Sequence, residues 1–201
     1  NGASKSNKGF EFVLGYRGES SGGLKYNIMT NFTHFRDRIT ELPENVRPAY
    51  PGNLVNTIIG RSQFDIFGYK TAGLFQSQAE VDAAPTQVGA GPGRIRYVDI
   101  NEDGRIDDLD RTWIGTTLPA LEYGIRADVF YKKFDFSFFG SGVAGREGFD
   151  AYTVFNNLMR GRENVGPGVF DAWTPQNTSS NIPALTLKDN NGEGRTSDYF
   201  I

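Results

Sequence analysis

The chain has 201 residues, a formal net charge of −3 and no cysteine. The mild negative charge, without a Lys/Arg cluster along the sequence, argues against a nucleic-acid partner, and the lack of cysteine excludes disulfide frameworks, thiolate metal sites and cysteine nucleophiles. The 25 glycines and the 13% of aromatic residues favour β structure with many turns, and no apolar run approaches the roughly 20 residues of a membrane helix.

The first predicted elements are two strands, at residues 9–17 and 24–36. The opening residues NGASKSNKG have neither the basic region nor the apolar segment of a signal peptide, so none is expected there. Apolar and polar side chains alternate along both strands, which indicates one apolar and one polar face. The apolar sets are Phe10, Phe12, Leu14 and Tyr16, then Leu24, Tyr26, Ile28 and Phe32. Pairing Tyr16 with Leu24 and Leu14 with Tyr26 keeps these sets together and predicts the register.

The segment YVDINEDGRIDDLDRTWIG, residues 97–115, concentrates aspartates around a single glycine. Its spacing matches the calcium loop of an EF-hand, with ligands from Asp99, Asn101, Asp103, the carbonyl of Arg105, Asp107 and Asp110. Ile106 is expected to point into the protein and anchor the loop. Residues 94–98 and TWIG have extended patterns rather than helical ones, so a structural Ca²⁺ site is predicted instead of a calcium switch. The alternative is a metal-free turn rich in Asp and Asn.

Two further strands are predicted at residues 121–131 and 134–142. YGIRADVFY places Tyr123, Ile125, Ala127, Val129 and Tyr131 on one face, and FDFSFFGSG does the same with Phe134, Phe136 and Phe138. A two-residue turn at Lys132 and Lys133 predicts three apolar pairs, Tyr131 with Phe134, Val129 with Phe136 and Ala127 with Phe138.

This alternation is typical of a transmembrane β-hairpin, whose strands need about 9–11 tilted residues. A soluble antiparallel sheet with one face on a core alternates in the same way. Two details favour the membrane: the polar faces carry charges in mid-strand, and short turns contrast with long segments at 40–120 and 143–201. Short helices are predicted within those segments at 77–85 and 152–161. The predicted fold class is therefore all-β, with antiparallel strands of part of a large transmembrane β-barrel and long extracellular loops.

The signatures of enzymes are weak in this sequence. GSGVAG, residues 140–145, fits G-x-G-x-x-G but follows an amphipathic hairpin strand rather than the parallel strand of a dinucleotide-binding unit. His34 is the only histidine and has no evident nucleophile partner, and no pair of acids is singled out. Trp173 in DAWTP is predicted to be a packing residue. The chain is predicted not to be an enzyme.

Several segments, in this order, closely resemble the C-terminal part of SusC/RagA-type TonB-dependent outer-membrane receptors of Bacteroidetes. They are IFGYKTAGLFQSQAEVDAAP, GPGRIRYVDINEDGRIDDLDRTWIG, LEYGIRADVFYKKFDFSFFGSGVAG, DAWTPQN and RTSDYFI. The resemblance covers nearly the whole chain and implies a fragment, residues 1–201, of a large barrel in the cell outer membrane.

The resemblance also implies function and partners. These are TonB-driven nutrient uptake of oligosaccharides or peptides, a SusD-like lipoprotein lid, contact with TonB through an N-terminal part absent here, and outer-membrane lipid around the barrel. The acidic loop recurs in the family, so its ligand residues carry over by position, whereas substrate-binding residues do not. The alternative function is a soluble calcium-binding β module for adhesion or carbohydrate binding; a glycoside hydrolase accessory domain has no acid/base pair to support it.

Overall fold

The computed structural model describes residues 2–156 and 165–201. The chain forms two compact units. The sheet unit comprises the residues up to Pro43, Ile59–Phe64 and Thr116–Glu147. The loop unit comprises Glu44–Ile58, Asp65–Gly115 and Gly148–Ile201.

The regular elements are mostly strands, as predicted. The strands are β1 (Ser4–Glu19), β2 (Leu24–Glu41), β3 (Asp65–Tyr69), β4 (Thr71–Leu74), β5 (Ile95–Tyr97), β6 (Arg111–Thr116), β7 (Leu121–Tyr131) and β8 (Phe134–Ala144). The helices are α1 (Gln78–Ala83), α2 (Ala151–Asn156) and 3₁₀ turns at Arg47–Ala49, Asp108–Asp110, Pro167–Asp171 and Asp198–Phe200. In the described part of the chain, the helices are too short and too polar to cross a membrane.

The sheet unit is built on one antiparallel sheet of four strands in the order β1-β2-β7-β8. Leu24 at the start of β2 lies opposite Tyr131 at the end of β7, so both short turns are at the same end of the sheet. The long connections leave from the opposite end, which is the arrangement the connection lengths predicted. β1 and β8 are the edges of this sheet.

The register of the β7–β8 hairpin is confirmed. Tyr131 pairs with Phe134, Val129 with Phe136 and Ala127 with Phe138. The two-residue turn has a positive φ of 55° at Lys132 and none at Lys133, which is the φ pattern of a type II′ turn rather than type I′.

The register predicted for β1 and β2 is wrong by four residues. Tyr16 pairs with Ile28 rather than Leu24, and Leu14 pairs with Thr30 rather than Tyr26. The cause is the length of β1, which continues to Glu19 and leaves only residues 20–23 for the turn. An even shift preserves parity, so the apolar sets of both strands still share one face.

The loop unit has a conventional buried core. Strand β3 pairs with β6, and β4 pairs with β5. The core consists of Tyr69, Leu74, Ile95, Tyr97, Val154, Trp173 and Phe200. Trp173 is 6% exposed, and its indole N–H donates to Gln76 Oε1 at 2.8 Å. This confirms the predicted packing role of Trp173.

The helices predicted within the long segments also form. α1 lies inside the predicted 77–85, and the Ser77 hydroxyl caps it by accepting the N–H of Glu80. α2 covers the first part of the predicted 152–161, whose residues 157–161 lie outside the described part. The GSGVAG segment runs along β8, which pairs with β7 as a hairpin strand.

Candidate functional site

One face of the sheet unit, here called the apolar face, presents large hydrophobic side chains to the surroundings. Phe136 is 64% exposed, Phe138 49% and Ile125 43%. The same face carries Phe10, Phe12, Leu14, Tyr16, Tyr26, Ile28, Phe32, Tyr123, Val129 and Phe134. A soluble sheet would bury such a face on a core, because contiguous exposed apolar patches are rare on soluble monomers. In the sheet unit these side chains are not sealed in a core.

The opposite face, here called the polar face, holds hydrogen-bonded charges at mid-strand. The Asp128 carboxylate is buried and accepts from Arg126 Nε at 3.0 Å and from the Ser137 hydroxyl at 2.8 Å. Asn27 on the neighbouring strand donates to it at 3.4 Å. The cluster ties three strands together through polar contacts, so the two faces differ in chemistry and not only in hydropathy.

The acidic loop, residues 99–110, folds around its own backbone. Asp99 accepts the N–H groups of Asp103 at 3.3 Å and Gly104 at 2.8 Å. The Asn101 side chain both accepts the Asp103 N–H and donates to the Asp103 carboxylate. Two backbone hydrogen bonds to Thr86 attach the loop to the rest of the unit. As predicted, Ile106 packs against the core and no α-helix flanks the loop.

Asp110 closes this loop from inside the protein. Its side chain is fully buried, and Oδ1 accepts the N–H of Ile100 at 2.8 Å. Oδ2 accepts the N–H of Asp107 at 2.7 Å, while Asp107 accepts the N–H of Leu109 at 2.8 Å. The two aspartates form a capping box on the 3₁₀ turn. Asp110 therefore joins the start and the end of the loop.

The carboxylates of the predicted calcium ligands are engaged by backbone N–H groups and by Arg105. In residues 2–156 and 165–201, no three acidic or imidazole side chains are grouped so as to hold an ion. The Nε of Arg105 lies 3.6 Å from the carboxylates of both Asp103 and Asp107. A cation bound to these oxygens would compete with the guanidinium. Calcium binding at this loop stays a prediction from the sequence.

A second loop repeats the pattern of the first and was missed in the sequence. Residues 189–195, DNNGEGR, match 99–105, DINEDGR, with Asp, Asn, an acid, Gly and Arg at corresponding positions. Asp189 accepts the N–H groups of Glu193 at 2.6 Å and Gly194 at 3.2 Å. These are the fourth and fifth residues after the aspartate, as in the first loop. A search for D-x-N-x-[DE]-G-R would have found it.

Side chains of the second loop form hydrogen bonds to the backbone along the free edge of β5, a strand of the core. Glu193 accepts the Ile95 N–H at 3.1 Å, and Asn191 donates to the Ile95 carbonyl at 3.0 Å. Gln87 donates to the same carbonyl at 2.7 Å and accepts the Tyr97 N–H at 2.9 Å. Side chains thus satisfy backbone groups that a neighbouring strand would otherwise pair, which is required because Ile95 and Tyr97 are buried.

The stability of the β5 edge is expected to depend on pH through Glu193. Burial raises the pKa of this carboxyl above its ordinary value, although Arg94, the Ile95 N–H and Asn191 each lower it. A raised pKa means that folding favours the protonated form, so its stabilising contribution is complete below the unfolded pKa and is lost as pH rises through the folded pKa. We expect the protection factor of the Ile95 amide, measured by hydrogen exchange, to fall over that interval.

The matched variant is Glu193→Gln, which keeps the shape but cannot titrate. Its Ile95 protection should show no step over the same pH interval, so the difference between the two proteins isolates this carboxyl. Parallel pH profiles of the wild type and the Gln variant would contradict the assignment to Glu193.

No protein-family model matches the chain. It is 29% identical over 189 residues to TonB-dependent receptor P26 of Formosa agariphila, and 27% identical over 192 residues to TonB-dependent receptor P3 of the same organism. Each alignment covers 91% of this chain and 19% of the relative, so the chain spans about a fifth of the length of the curated relatives it matches.

Solved structures share the fold. The RagAB peptide transporter superposes with a TM-score of 0.67 at 17% identity, over 91% of this chain and 20% of that one. The RagAB peptide importer in its closed-closed state gives 0.66 at 17% identity, over 96% and 21%. The predicted resemblance and the predicted all-β antiparallel fold class are confirmed.

Proposed function

We propose that this chain is a barrel segment of a TonB-dependent outer-membrane transporter of the SusC/RagA type. The observation that carries the proposal is the exposed apolar face of the sheet unit, backed by a polar face of hydrogen-bonded charges. Lipid on one side and an aqueous lumen on the other satisfy both faces at once. The curated relatives named TonB-dependent receptors support the same assignment.

Strand dimensions support a membrane-spanning role. β7 and β8 have 11 residues each, and β1 and β2 have 16 and 18. A tilted strand needs about 9–11 residues to cross, so all four are long enough. Unpaired strand edges are not tolerated in hydrocarbon, so β1 and β8 would pair with further strands of a closed barrel.

The loop unit would form the extracellular part. Its two long segments follow β2 and β8 at the end opposite the short turns, and outer-membrane barrels place short turns on the periplasmic side. We assign to this surface the contact with a SusD-like lipoprotein and with peptide or oligosaccharide cargo. The neighbour named RagAB peptide transporter supports peptides as one cargo class.

The chemistry of such a segment is binding and gated passage rather than bond breaking. The polar face would line the lumen around a plug, and TonB would act through an N-terminal part that this chain does not contain. The acidic loop and the loop at 189–195 would hold the extracellular surface rigid, because both fold on backbone hydrogen bonds to their aspartates.

The competing function is a soluble calcium-binding β module for adhesion or carbohydrate binding. It would require the apolar face to be covered by a core or by a partner protein. In the soluble case the full-length protein would fractionate with water-soluble proteins. In the transporter case it would stay with the outer membrane after salt and carbonate washes.

Topology gives the sharpest test, because these 201 residues contain no cysteine. We expect Leu187→Cys, at a side chain that is 70% exposed in the loop unit, to react with a membrane-impermeant maleimide in intact cells. Ser21→Cys, in the exposed β1–β2 turn, should react only after the outer membrane is permeabilised. The unsubstituted full-length protein is the background control, and equal labelling of both variants in intact cells would overturn the proposed topology.

A further inference from the structure

We propose that Lys8, Arg36 and Arg38, here called the basic cluster, bind phosphate groups of membrane lipids. The inference rests on the proposed function, since it takes the apolar face to lie in lipid. It adds a lipid-headgroup site at one end of that face.

The sheet register brings the three cations together on the apolar face. Lys8 pairs with Arg36 across β1 and β2, and Ser6 pairs with Arg38. All have the parity of Phe10 and the other outward side chains, and all three cations are exposed. They line an open surface groove of about 600 Å³, together with Ser6, Gly9, Phe10, His34 and Thr40. The sequence shows no basic cluster because Lys8 lies on a different strand from the two arginines, which Asp37 separates.

The cations on the two faces of the sheet differ in whether they have carboxylate partners. On the polar face, Lys5 pairs with Asp37 at 2.9 Å, and Arg126 pairs with Asp128 at 3.0 Å. In the described part of the chain, no carboxylate lies within ion-pair distance of Lys8, Arg36 or Arg38. From Lys5 onward in β1 and up to Thr40 in β2, and along β7 and β8, the apolar face carries no Asp or Glu; beyond the register shift, Glu41 accepts the hydroxyl of Ser4. Three adjacent cations without a counter-ion are complementary to an anionic ligand.

The position of the basic cluster matches the depth of lipid headgroups. The outward side chains of β2 from Leu24 to Phe32 span about 27 Å along the strand. At a tilt of about 40° this is roughly 20 Å of depth, close to the apolar band of about 25 Å in outer-membrane barrels. Arg36, four residues further, then lies about 10 Å beyond the band's edge, at headgroup level.

The ligand bound at this site must contact both the apolar face and the basic cluster. Phe10 lies beside the cations, and both Phe10 and Phe32 belong to the surface that contacts acyl chains in the proposed barrel. A molecule with a phosphate head and apolar tails contacts both regions, whereas free phosphate contacts only the cations. The cluster lies at the end of the long connections, so the lipid is placed in the outer leaflet.

The test uses the full-length transporter in nanodiscs of phosphatidylcholine containing a minority of phosphatidylglycerol. Native mass spectrometry of the released complexes counts how many of each lipid the protein retains. In Arg36→Gln/Arg38→Gln we expect the retained ratio of phosphatidylglycerol to phosphatidylcholine to fall about tenfold or more, since each cation near a membrane surface contributes several-fold. The control Arg17→Gln/Lys25→Gln removes two exposed cations from the polar face and should leave the ratio unchanged.

Two further arms separate the possible outcomes. Inorganic phosphate added to the nanodiscs should not reduce retained phosphatidylglycerol; if it does, the site takes free phosphate and the lipid assignment falls. Equal ratios in wild type and Arg36→Gln/Arg38→Gln would overturn the inference while leaving a membrane-inserted protein. Failure of the wild type to insert into nanodiscs or to float with vesicles would instead overturn the proposed function.

Discussion

Replacing Asp110 with Ala is expected to release the acidic loop, with a loss of about 3–5 kcal/mol in local stability. The carboxylate is fully buried and accepts the backbone N–H groups of Ile100 and Asp107. An alanine leaves both donors in a space that water does not reach, and each buried unsatisfied donor costs about 1–3 kcal/mol. The lost bond to the Asp107 N–H is also the Asp110 half of the capping box on the 3₁₀ turn.

The measurement is hydrogen exchange on the full-length protein, read on peptides covering residues 97–110. Protection of the Ile100 and Asp107 amides should drop by about two to four orders of magnitude, as the free-energy change implies. The matched control is Asp108→Ala in the same 3₁₀ turn. The Asp108 side chain is 82% exposed, pairs with Arg111 at 3.6 Å and accepts the Tyr69 hydroxyl at 3.3 Å, so its removal should cost about 1 kcal/mol.

The Asp110 experiment also discriminates between two roles of the loop. If the loop is held by its own hydrogen bonds, protection in the wild type is the same with Ca²⁺ and with a chelator. A large Ca²⁺-dependent gain in wild type that Asp110→Ala abolishes would instead support the calcium ligands predicted from the sequence. Equal protection in Asp110→Ala and Asp108→Ala would contradict the closing role assigned to Asp110.

The sequence could predict which side chains of each strand share a face of the sheet. Alternation assigns each side chain of a strand to a face without knowledge of its neighbours, and the two-residue turn at Lys132 and Lys133 then fixed the β7–β8 register. The β1–β2 register failed because alternation is insensitive to an even shift. Nothing in RGESSGG indicated that β1 would continue to Glu19, and no apolar residue marks its end.

The loop unit was less predictable for a different reason. Its strands β4 and β5 have four and three residues, which is too short for a periodic signal. The edge of β5 is completed by Gln87, Asn191 and Glu193, which lie up to about a hundred positions apart in sequence. Side chains that pair with a strand edge in place of a neighbouring strand leave no local pattern in the sequence. Within the acidic loop, spacing drew attention to the aspartates, but it could not predict that their carboxylates accept backbone N–H groups.

Replacing Phe138 with Arg is expected to destabilise the inserted protein by about 2–4 kcal/mol, the cost of a cation on the lipid face near mid-membrane. Phe138 lies on the apolar face, pairs with Ala127 and is 49% exposed. The control is its neighbour Phe139, an identical side chain on the polar face with 71% exposure. Phe139→Arg would lie opposite Arg126, whose charge is already engaged by Asp128, so we expect a change of about 1 kcal/mol or less.

The measurement is reversible unfolding of the full-length protein in lipid vesicles by guanidinium titration, followed by tryptophan fluorescence. In water, Phe138 and Phe139 are both exposed, and an arginine at either position would be tolerated. In a bilayer, only the outward position places the guanidinium in hydrocarbon, because successive residues of a strand point to opposite faces. A larger loss of unfolding free energy for Phe138→Arg than for Phe139→Arg would therefore show that the apolar face contacts lipid. Equal small losses for the two variants would mean that neither face contacts lipid.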